Sequence, residues 1–180
     1  MHSRLPAGCS LRCGSSLPRS FKKESLANTQ TADHTSGFSA GVNIAATWDR
    51  SLAYLRGQAM AEEHRGKGVD AQLGPVAGPI GRSVDAGRNW EGFAPDPVLT
   101  GIQIAETIKG MQDAGVIATA KHFIGNEQEH FRQSSEAQGF GYNITESVSS
   151  NIDDKTLHEL YLWFVPPFSA KDYAGSYLFL

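Results

Sequence analysis

The hydrophobic pattern of the chain changes from a helical to an extended period near its centre. Residues 116–120, VIATA, are a short run of apolar and small side chains, which predicts a strand buried on both faces of a parallel sheet. Lys121 and His122 follow at once, and a polar loop continues to Arg132. Because ligands of α/β proteins bind outside the carboxyl ends of strands, these two side chains are predicted to lie at a site of recognition or chemistry.

A helix and a second strand are predicted upstream. Residues 49–65 have the helical period, with Gly66 and Gly68 as stop signals. The side chains spaced for its apolar face are Leu52, Leu55, Ala59 and Met60. Residues 69–73 then favour a strand that ends at Gly74. Residues 42–46, VNIAA, fit either a short strand or the entry to a helix.

A Gly- and Pro-rich loop, residues 77–97, separates this strand from the next helix. Loops of such length without regular structure are uncommon and are often functional. The loop ends in a helix start, with Asp96 as N-cap and Pro97 in the first turn, and Gly115 closes this helix. Its predicted apolar stripe is Leu99, Ile102, Ile108 and Met111. A last helix is predicted from the Asp153-Asp154 pair, through Leu157, Leu160 and Tyr161.

Helices that alternate with short buried strands predict a parallel α/β fold with right-handed crossovers. The expected organisation has three parts. Residues 1–37 are an atypical or disordered segment, residues 38–163 form the ordered domain, and residues 164–180 are a tail without hydrophobic period, in which a Pro-Pro pair ends the last helix.

Composition narrows the function classes. Hydrophobic residues make up 40% of the 180 residues and charged residues 19%, as expected of a globular protein. The net charge of −3 provides no basic surface for nucleic acid, and no apolar stretch reaches the ~20 residues that span a bilayer. Cys9 and Cys13 are interpreted as incidental thiols, with a local disulfide or a metal site as the alternatives.

Three side chains lead the candidates for chemistry: Arg88, Lys121 and His122. Arg88 lies in the long loop after one predicted strand, and the other two end the next strand. If the strands are neighbours, the three converge and offer many hydrogen-bond donors and few acceptors, which suits a ligand rich in hydroxyls or negative charge. For Arg88, a salt bridge that anchors the loop is an equal alternative.

Other polar clusters have simpler interpretations. A metal-dependent hydrolase could use His122, Glu129 and His130, but their spacing matches no strong zinc pattern. A self-satisfied polar loop is the preferred account of Glu127, Glu129, His130 and Arg132. Among acid/base candidates of the long loop, Asp96 is assigned to a helix cap and Asp85 to a turn, which leaves Glu91 as the carboxylate without a structural role.

The same residues resemble glycoside hydrolase family 3, and fungal β-glucosidases in particular. The most specific blocks are GRNWEGFAPDPVLTG at residues 87–101 and KHFIGNEQEHFR at residues 121–132. The likeness extends over about residues 38–163. It implies a partial (β/α)₈ TIM-like barrel, made of the early to middle βα units, and retaining hydrolysis of terminal β-D-glucosyl residues from cellobiose and other β-glucosides.

The resemblance also implies roles and departures. Arg88, Lys121 and His122 would hydrogen-bond the sugar in the −1 subsite. The family's nucleophile lies in a Ser-Asp-Trp motif and its acid in a later domain, and the printed sequence contains no Ser-Asp-Trp. Residues 24–33, ESLANTQTAD, replace the family's sugar-binding Asp-Ser-Pro segment. We therefore expect a fragment without catalytic residues, inactive alone; the alternative is a non-catalytic carbohydrate-binding remnant.

The remaining expectations concern ligands and location. No cofactor and no metal is expected, and the partner is a small β-glucoside or oligosaccharide, with no nucleic acid and no membrane. Asn143-Ile-Thr is an acceptor pattern for N-glycosylation, and with the resemblance it indicates an extracellular protein, although no signal peptide is recognisable.

Overall fold

The structure is a computed structural model, and it describes residues 21–23, 34–143, 149–163 and 178–179. Its strands are β1 Phe21–Lys23, β2 Ala71–Leu73, β3 Ile117–Ala120 and β4 Leu178–Phe179. Its helices are α1 Gly41–Ala45, α2 Arg50–Gly66, α3 Pro97–Asp113, α4 Ser134–Gly139 and α5 Asp154–Thr156. A 3₁₀ turn covers Asn89–Glu91, and α5 continues into a π-helical turn, Leu157–Tyr161.

The four strands form one parallel sheet in the order β1-β2-β3-β4. Ala71 of β2 pairs with Ile117 of β3, and Thr119 of β3 pairs with Leu178 of β4. The predicted parallel α/β class is confirmed. Because β2 and β3 are adjacent and parallel, the loops that leave them emerge at one edge of the sheet.

Both long helices begin where the sequence predicts. The Asp49 carboxylate accepts hydrogen bonds from the amides of Ser51 and Leu52, at 2.7 and 3.2 Å, and so caps α2. Asp96 accepts from the amide of Leu99 at 2.6 Å and caps α3, which Pro97 opens. These caps satisfy amides that a helix leaves unpaired in its first turn.

The predicted apolar face of α2 is confirmed at Met60, which is buried, and is wrong at Leu52 and Leu55. Leu52 and Leu55 are exposed, by 43% and 54%, and the buried face instead contains Ala53, Arg56, Gly57, Met60, Ala61 and His64. Small residues face α3 because the two backbones approach closely. A Cβ on Gly57 would lie 2.3 Å from the Thr107 carbonyl oxygen, and one on Gly110 would lie 2.1 Å from that of Tyr54.

The core lies between the sheet and these helices. In α3, Ile108 and Met111 are buried as predicted, while Leu99 and Ile102 are only partly buried. The rest of its buried face combines Ile104 and two glycines with the polar residues Thr100, Gln103 and Thr107. Among them, the hydroxyl of Thr107 donates to the Gln103 carbonyl at 2.9 Å, which satisfies it inside the helix.

The remaining elements differ in detail from the predictions. Residues 42–46, for which strand and helix were both open, lie in α1 and its C-cap. The strand expected over residues 69–73 is limited to Ala71–Leu73. The last helix starts at its Asp153 cap and changes to the π-helical turn within one turn.

Other predictions are not settled by the described residues. Cys9, Cys13 and the Pro-Pro pair lie outside them, and the boundaries at residues 37 and 163 stay a prediction. Among the described residues, no helix combines the length and the hydrophobicity that crossing a bilayer requires.

Candidate functional site

Lys121 is fixed at the carboxyl end of β3 by the chain that leaves β2. Its amide donates to the Pro75 carbonyl at 3.0 Å, and its carbonyl accepts from the Ala77 amide at 2.6 Å. Residues 75–77 thus run beside the end of β3, and Val76 forms a parallel bridge with Lys121. The side chain is 4% exposed, so the ammonium group is held inside the protein at the edge where the loops meet.

Arg88 approaches the same edge from the long loop. It precedes the 3₁₀ turn, and its guanidinium binds Glu91 with two parallel hydrogen bonds, Nε to Oε1 at 2.6 Å and Nη2 to Oε2 at 2.8 Å. Its Nη1 donates to Glu129 Oε1 at 3.0 Å. Such fork-to-fork pairing fixes the plane of the guanidinium. The loop-anchoring interpretation of Arg88 is therefore confirmed, and the binding interpretation remains compatible with it.

Glu91 has a structural role that the sequence analysis missed. Besides Arg88, its Oε2 lies 3.6 Å from the Lys121 ammonium nitrogen. One carboxylate therefore joins the loop after β2 to the end of β3. Burial raises the pKa of Glu91, but the hydrogen bonds and charge of Arg88, with the charge of Lys121, outweigh it, so the pKa lies below its ordinary value.

His122 lies in the same group and is held neutral. Burial lowers the pKa of its imidazole to about 4, and the positive charges of Arg88 and Lys121 act in the same direction. Its Nε2 atom is buried and, among the described residues, has no hydrogen-bond partner. A neutral ring can donate from one nitrogen and accept at the other, so His122 can bind a hydroxyl in either sense.

The prediction of a self-satisfied polar loop after β3 is confirmed only in part, because its carboxylates also accept hydrogen bonds from the loop after β2. Glu127 accepts hydrogen bonds from the backbone amides of Ile80 and Arg82, both at 3.1 Å. Glu129 accepts from Arg132 at 2.7 Å, from Asn126 at 3.1 Å and from Arg88.

The pKa of Glu129 reflects these bonds. Burial raises it, but the hydrogen bonds from Arg132, Asn126 and Arg88 outweigh this effect and lower the pKa to about 2. Both Glu91 and Glu129 are thus held as carboxylates by cations, which argues against either of them as a proton donor. The described part of the chain contains no group of three His, Cys, Asp or Glu side chains that could hold a metal ion.

The predicted convergence of Arg88, Lys121 and His122 is confirmed in space, while their role stays a prediction. A guanidinium has five N–H donors, and contacts among the described residues use three of those of Arg88, which leaves two. The group therefore presents charged and neutral donors at one edge of the sheet. Asn143 lies on the exposed surface, and its glycosylation also stays a prediction.

Sequence reasoning could have predicted only one of the two carboxylate partners of Arg88. Arg88 and Glu91 are three residues apart beside a turn, a spacing that brings side chains together and could have signalled their pairing. The contact between Arg88 and Glu129 joins positions 41 residues apart and has no local signal.

Comparisons with known proteins match the region of the chain that contains the candidate site. The model of the glycosyl hydrolase family 3 N terminal domain matches residues 28–158. "Probable beta-glucosidase A" of Aspergillus terreus is 64% identical over 159 residues, which are 88% of this chain and 18% of that protein. "Beta-glucosidase 1" of Aspergillus aculeatus is 63% identical over 153 residues, 85% of this chain and 17% of that protein. The chain thus spans less than a fifth of the length of these relatives.

Solved structures of β-glucosidases also resemble this chain. A family 3 β-glucosidase from Neurospora crassa superposes with a TM-score of 0.72 at 67% identity, over 73% of this chain and 16% of that one. β-Glucosidase 3B from Thermotoga neapolitana, solved with α-D-glucose, gives 0.65 at 34% identity, over 78% of this chain and 18% of that one. The chain belongs to glycoside hydrolase family 3, of which it carries the N-terminal domain region.

Proposed function

We propose that this chain is part of a retaining β-glucosidase, in which Arg88, Lys121 and His122 hydrogen-bond the terminal β-D-glucosyl unit of cellobiose and other β-glucosides. The observation that carries the proposal is the convergence of these three donors at the carboxyl edge of β2 and β3. The relatives are β-glucosidases by name, and the Thermotoga protein was solved with glucose.

The chemistry of the group fits a neutral, hydroxyl-rich ligand. Glu91 offsets the charge of Arg88 and Lys121, so the site is less positive than its cations suggest. Hydrogen bonds from charged donors to hydroxyls are directional and select the positions of those hydroxyls. A buried donor left without its hydroxyl partner costs free energy, which disfavours sugars of other configuration.

Retaining hydrolysis needs a carboxylate nucleophile and a carboxylic acid. Glu91 and Glu129 do not suit either role, because cations occupy their oxygens. In this proposal the described residues bind and orient the sugar, and none of them is assigned as nucleophile or acid. The alternative of a binding-only protein has no observation in its favour.

The proposed architecture is a partial (β/α)₈ barrel that contains the early to middle units. Its support is the sheet, in which four strands lie side by side, all parallel and in chain order. Consecutive strands of such a barrel have this arrangement, and its ligands bind at the carboxyl edge where Lys121 lies.

A chimeric enzyme tests the proposed activity. We expect the Aspergillus terreus β-glucosidase A to hydrolyse an aryl β-glucoside when residues 38–163 of this chain replace its matching segment. In that chimera, Lys121→Ala is expected to lower kcat/KM by about 100-fold, because a charged hydrogen bond contributes roughly 1.5–3 kcal/mol. Lys109→Ala, which removes an ammonium group on the outer surface of α3, is the matched control and should change kcat/KM by less than about twofold.

Two results would contradict the proposal. One is a chimera that folds with a cooperative thermal transition and yet shows no hydrolysis. The other is an active chimera in which Lys121→Ala and Lys109→Ala have equal effects on kcat/KM.

A further inference from the structure

A 3₁₀ turn, Asn89–Glu91, organises the donor group, which is Arg88, Lys121 and His122. Arg88 precedes the turn, and the Glu91 carboxylate at its end contacts both the Arg88 guanidinium and the Lys121 ammonium group. The position of the Glu91 backbone therefore determines where these two cations lie relative to each other. Whatever fixes that backbone also fixes the donors.

Helix α1 lies directly against the backbone of this turn. A Cβ on Gly41, the first residue of α1, would lie less than 3.0 Å from the carbonyl oxygens of both Glu91 and Gly92, a separation that real Cβ atoms essentially never show. Gly41 is buried, and its lack of a side chain lets the two backbones approach so closely. A larger residue must push α1 and the turn apart, because both contacted atoms belong to the backbone.

The loop after β2 holds the same turn by separate contacts. A Cβ on Gly92, the residue that follows the turn, would lie 2.7 Å from the Pro79 carbonyl oxygen. The side-chain amide of Asn89 donates to the Ser83 carbonyl at 2.9 Å. Because the turn contacts both this loop and α1, any shift of the turn has to displace close-packed atoms.

Helix α1 is itself anchored to the long helix α2. The Ser36 amide donates to the Glu63 carboxylate at 2.8 Å, and the Arg56 guanidinium donates to the Ser39 carbonyl at 2.6 Å. These bonds tie the segment that leads into α1 to the surface of α2. At the other end of α1, Ala45 is buried in the hydrophobic core. The helix is thus a fixed support rather than a loose flap.

We propose that Gly41 is a positioning residue for the sugar site: by letting α1 abut the backbone of Glu91 and Gly92, it fixes the carboxylate that holds Arg88 and Lys121 in place. The inference rests on the proposed function, which places the terminal glucosyl unit at the donor group. Gly41 has no side chain and does not bind the sugar itself. Its effect reaches the ligand through Glu91.

Small displacements of Glu91 matter because its contacts are hydrogen bonds and a charge pair. The Arg88 Nε–H donates to Glu91 Oε1 at 2.6 Å, and the Lys121 ammonium nitrogen lies 3.6 Å from Oε2. An ordinary Cβ contact is 3.4 Å or longer, so Gly41→Ala must displace the turn by several tenths of an ångström. Hydrogen bonds weaken steeply as their geometry departs from the ideal.

The other close glycine contacts of the long helices serve the scaffold. Gly57 and Gly110 let α2 and α3 approach, and a Cβ on either would meet the backbone of the facing helix. Gly41 differs because one of the atoms that it contacts belongs to Glu91, a partner of two donors. Its substitution should therefore change the site as well as the stability.

The test measures the donor group in the full chain with Gly41→Ala. We expect the Arg88 Nε–H proton, followed by NMR, to exchange with solvent about tenfold faster than in the unsubstituted chain, because its hydrogen bond to Glu91 is weakened. Glucose titrated by calorimetry should bind about tenfold more weakly, because the donors are misplaced.

Two controls separate positioning from a general loss of stability. Gly37→Ala adds the same methyl group four residues earlier, where it meets no atom within 4 Å, and should change both readouts by less than about twofold. Met111→Ala empties a fully buried position at the end of α3, next to the start of β3 and far along the strand from Lys121. It should lower the melting temperature and leave both readouts of the folded chain unchanged.

A reciprocal measurement guards against misfolding of Gly41→Ala. A contact that transmits a shift from α1 to Arg88 also transmits one from Arg88 to α1, since coupling is mutual. Arg88→Lys keeps the charge but loses the paired hydrogen bonds to Glu91, so it should shift the amide NMR signal of Gly41 and leave that of Gly37 in place. An unchanged Gly41 signal would overturn the inference even if Gly41→Ala does not fold.

The outcomes separate the inference from the proposed function. Glucose binding and Arg88 exchange that Gly41→Ala leaves unchanged overturn the inference and keep the proposed function. Equal changes in Gly41→Ala and Met111→Ala also overturn it, since they report lost stability alone. Faster Arg88 exchange in Gly41→Ala, in a chain that never binds glucose, supports the positioning of Arg88 by α1 and contradicts the sugar site.

Discussion

Glu91→Gln is expected to lower the free energy of unfolding by about 4 kcal/mol, because it breaks a largely buried charge pair and leaves the cations behind. The Glu91 carboxylate is 13% exposed and Lys121 is 4% exposed. Glutamine has nearly the same shape, so the loss reports charge rather than packing. It still accepts one hydrogen bond from Arg88, but it cannot balance the two positive charges. Urea unfolding with an unchanged m-value measures the effect.

Asp113→Asn is the matched control for this charge substitution. Asp113 pairs with Lys109 on the surface, where both side chains are 45% exposed. Because exposed ion pairs contribute little, this variant should cost less than about 1 kcal/mol. Equal losses in the two variants would show that Glu91 is an ordinary surface partner and that it does not organise the donor group.

Gly57→Ala is expected to lower the free energy of unfolding by about 2 kcal/mol. The new methyl group would lie 2.3 Å from the Thr107 carbonyl oxygen of α3, so the helices must separate. Overpacking of this kind costs about 1–3 kcal/mol, and occasionally more when backbone has to move. Alanine itself favours the helix by about 0.5–1 kcal/mol, which offsets only part of this cost.

Gly66→Ala provides the control on the same helix. Gly66 is the last residue of α2, and a Cβ added there would meet no atom within 4 Å. The same substitution should therefore be neutral or should stabilise the chain by about 0.5 kcal/mol. Thermal or urea unfolding of both variants measures the difference. If Gly57→Ala is as stable as Gly66→Ala, the close approach of α2 and α3 is contradicted.

Local signals predicted the ends of the long helices, and the position of the strand that leads to Lys121. Asp49, Asp96 and Pro97 act within one turn of the chain, so their effect is visible in the sequence alone. The buried side of α2 was not visible in this way. Hydrophobicity selected Leu52 and Leu55, but the closeness of α3 requires small residues, and this is a tertiary constraint.

The candidate site likewise has one part that the sequence could predict and one part that it could not. The convergence of Arg88, Lys121 and His122 follows from the rule that adjacent parallel strands end at one edge, so the sequence could predict it. The contacts of Arg88 with Glu129 and of Lys121 with Glu91 join distant segments, and no periodicity encodes them.

Helix α4 was also missed. No helix was predicted over Ser134–Gly139, because the segment is short and has no apolar stripe. Its fold depends on the Schellman end at Gly141, and this depends on a backbone conformation rather than on hydrophobic pattern.

A glucose titration of the full chain, followed by NMR at the imidazole of His122, decides whether Arg88, Lys121 and His122 form a sugar site. We expect a ring that titrates near pH 4, because burial and the charges of Arg88 and Lys121 lower its pKa. We also expect a ring signal that shifts with glucose until it saturates, and that does not respond in Lys121→Ala. A ring that titrates near its ordinary pKa and ignores glucose would contradict the assignment of this group as a sugar site.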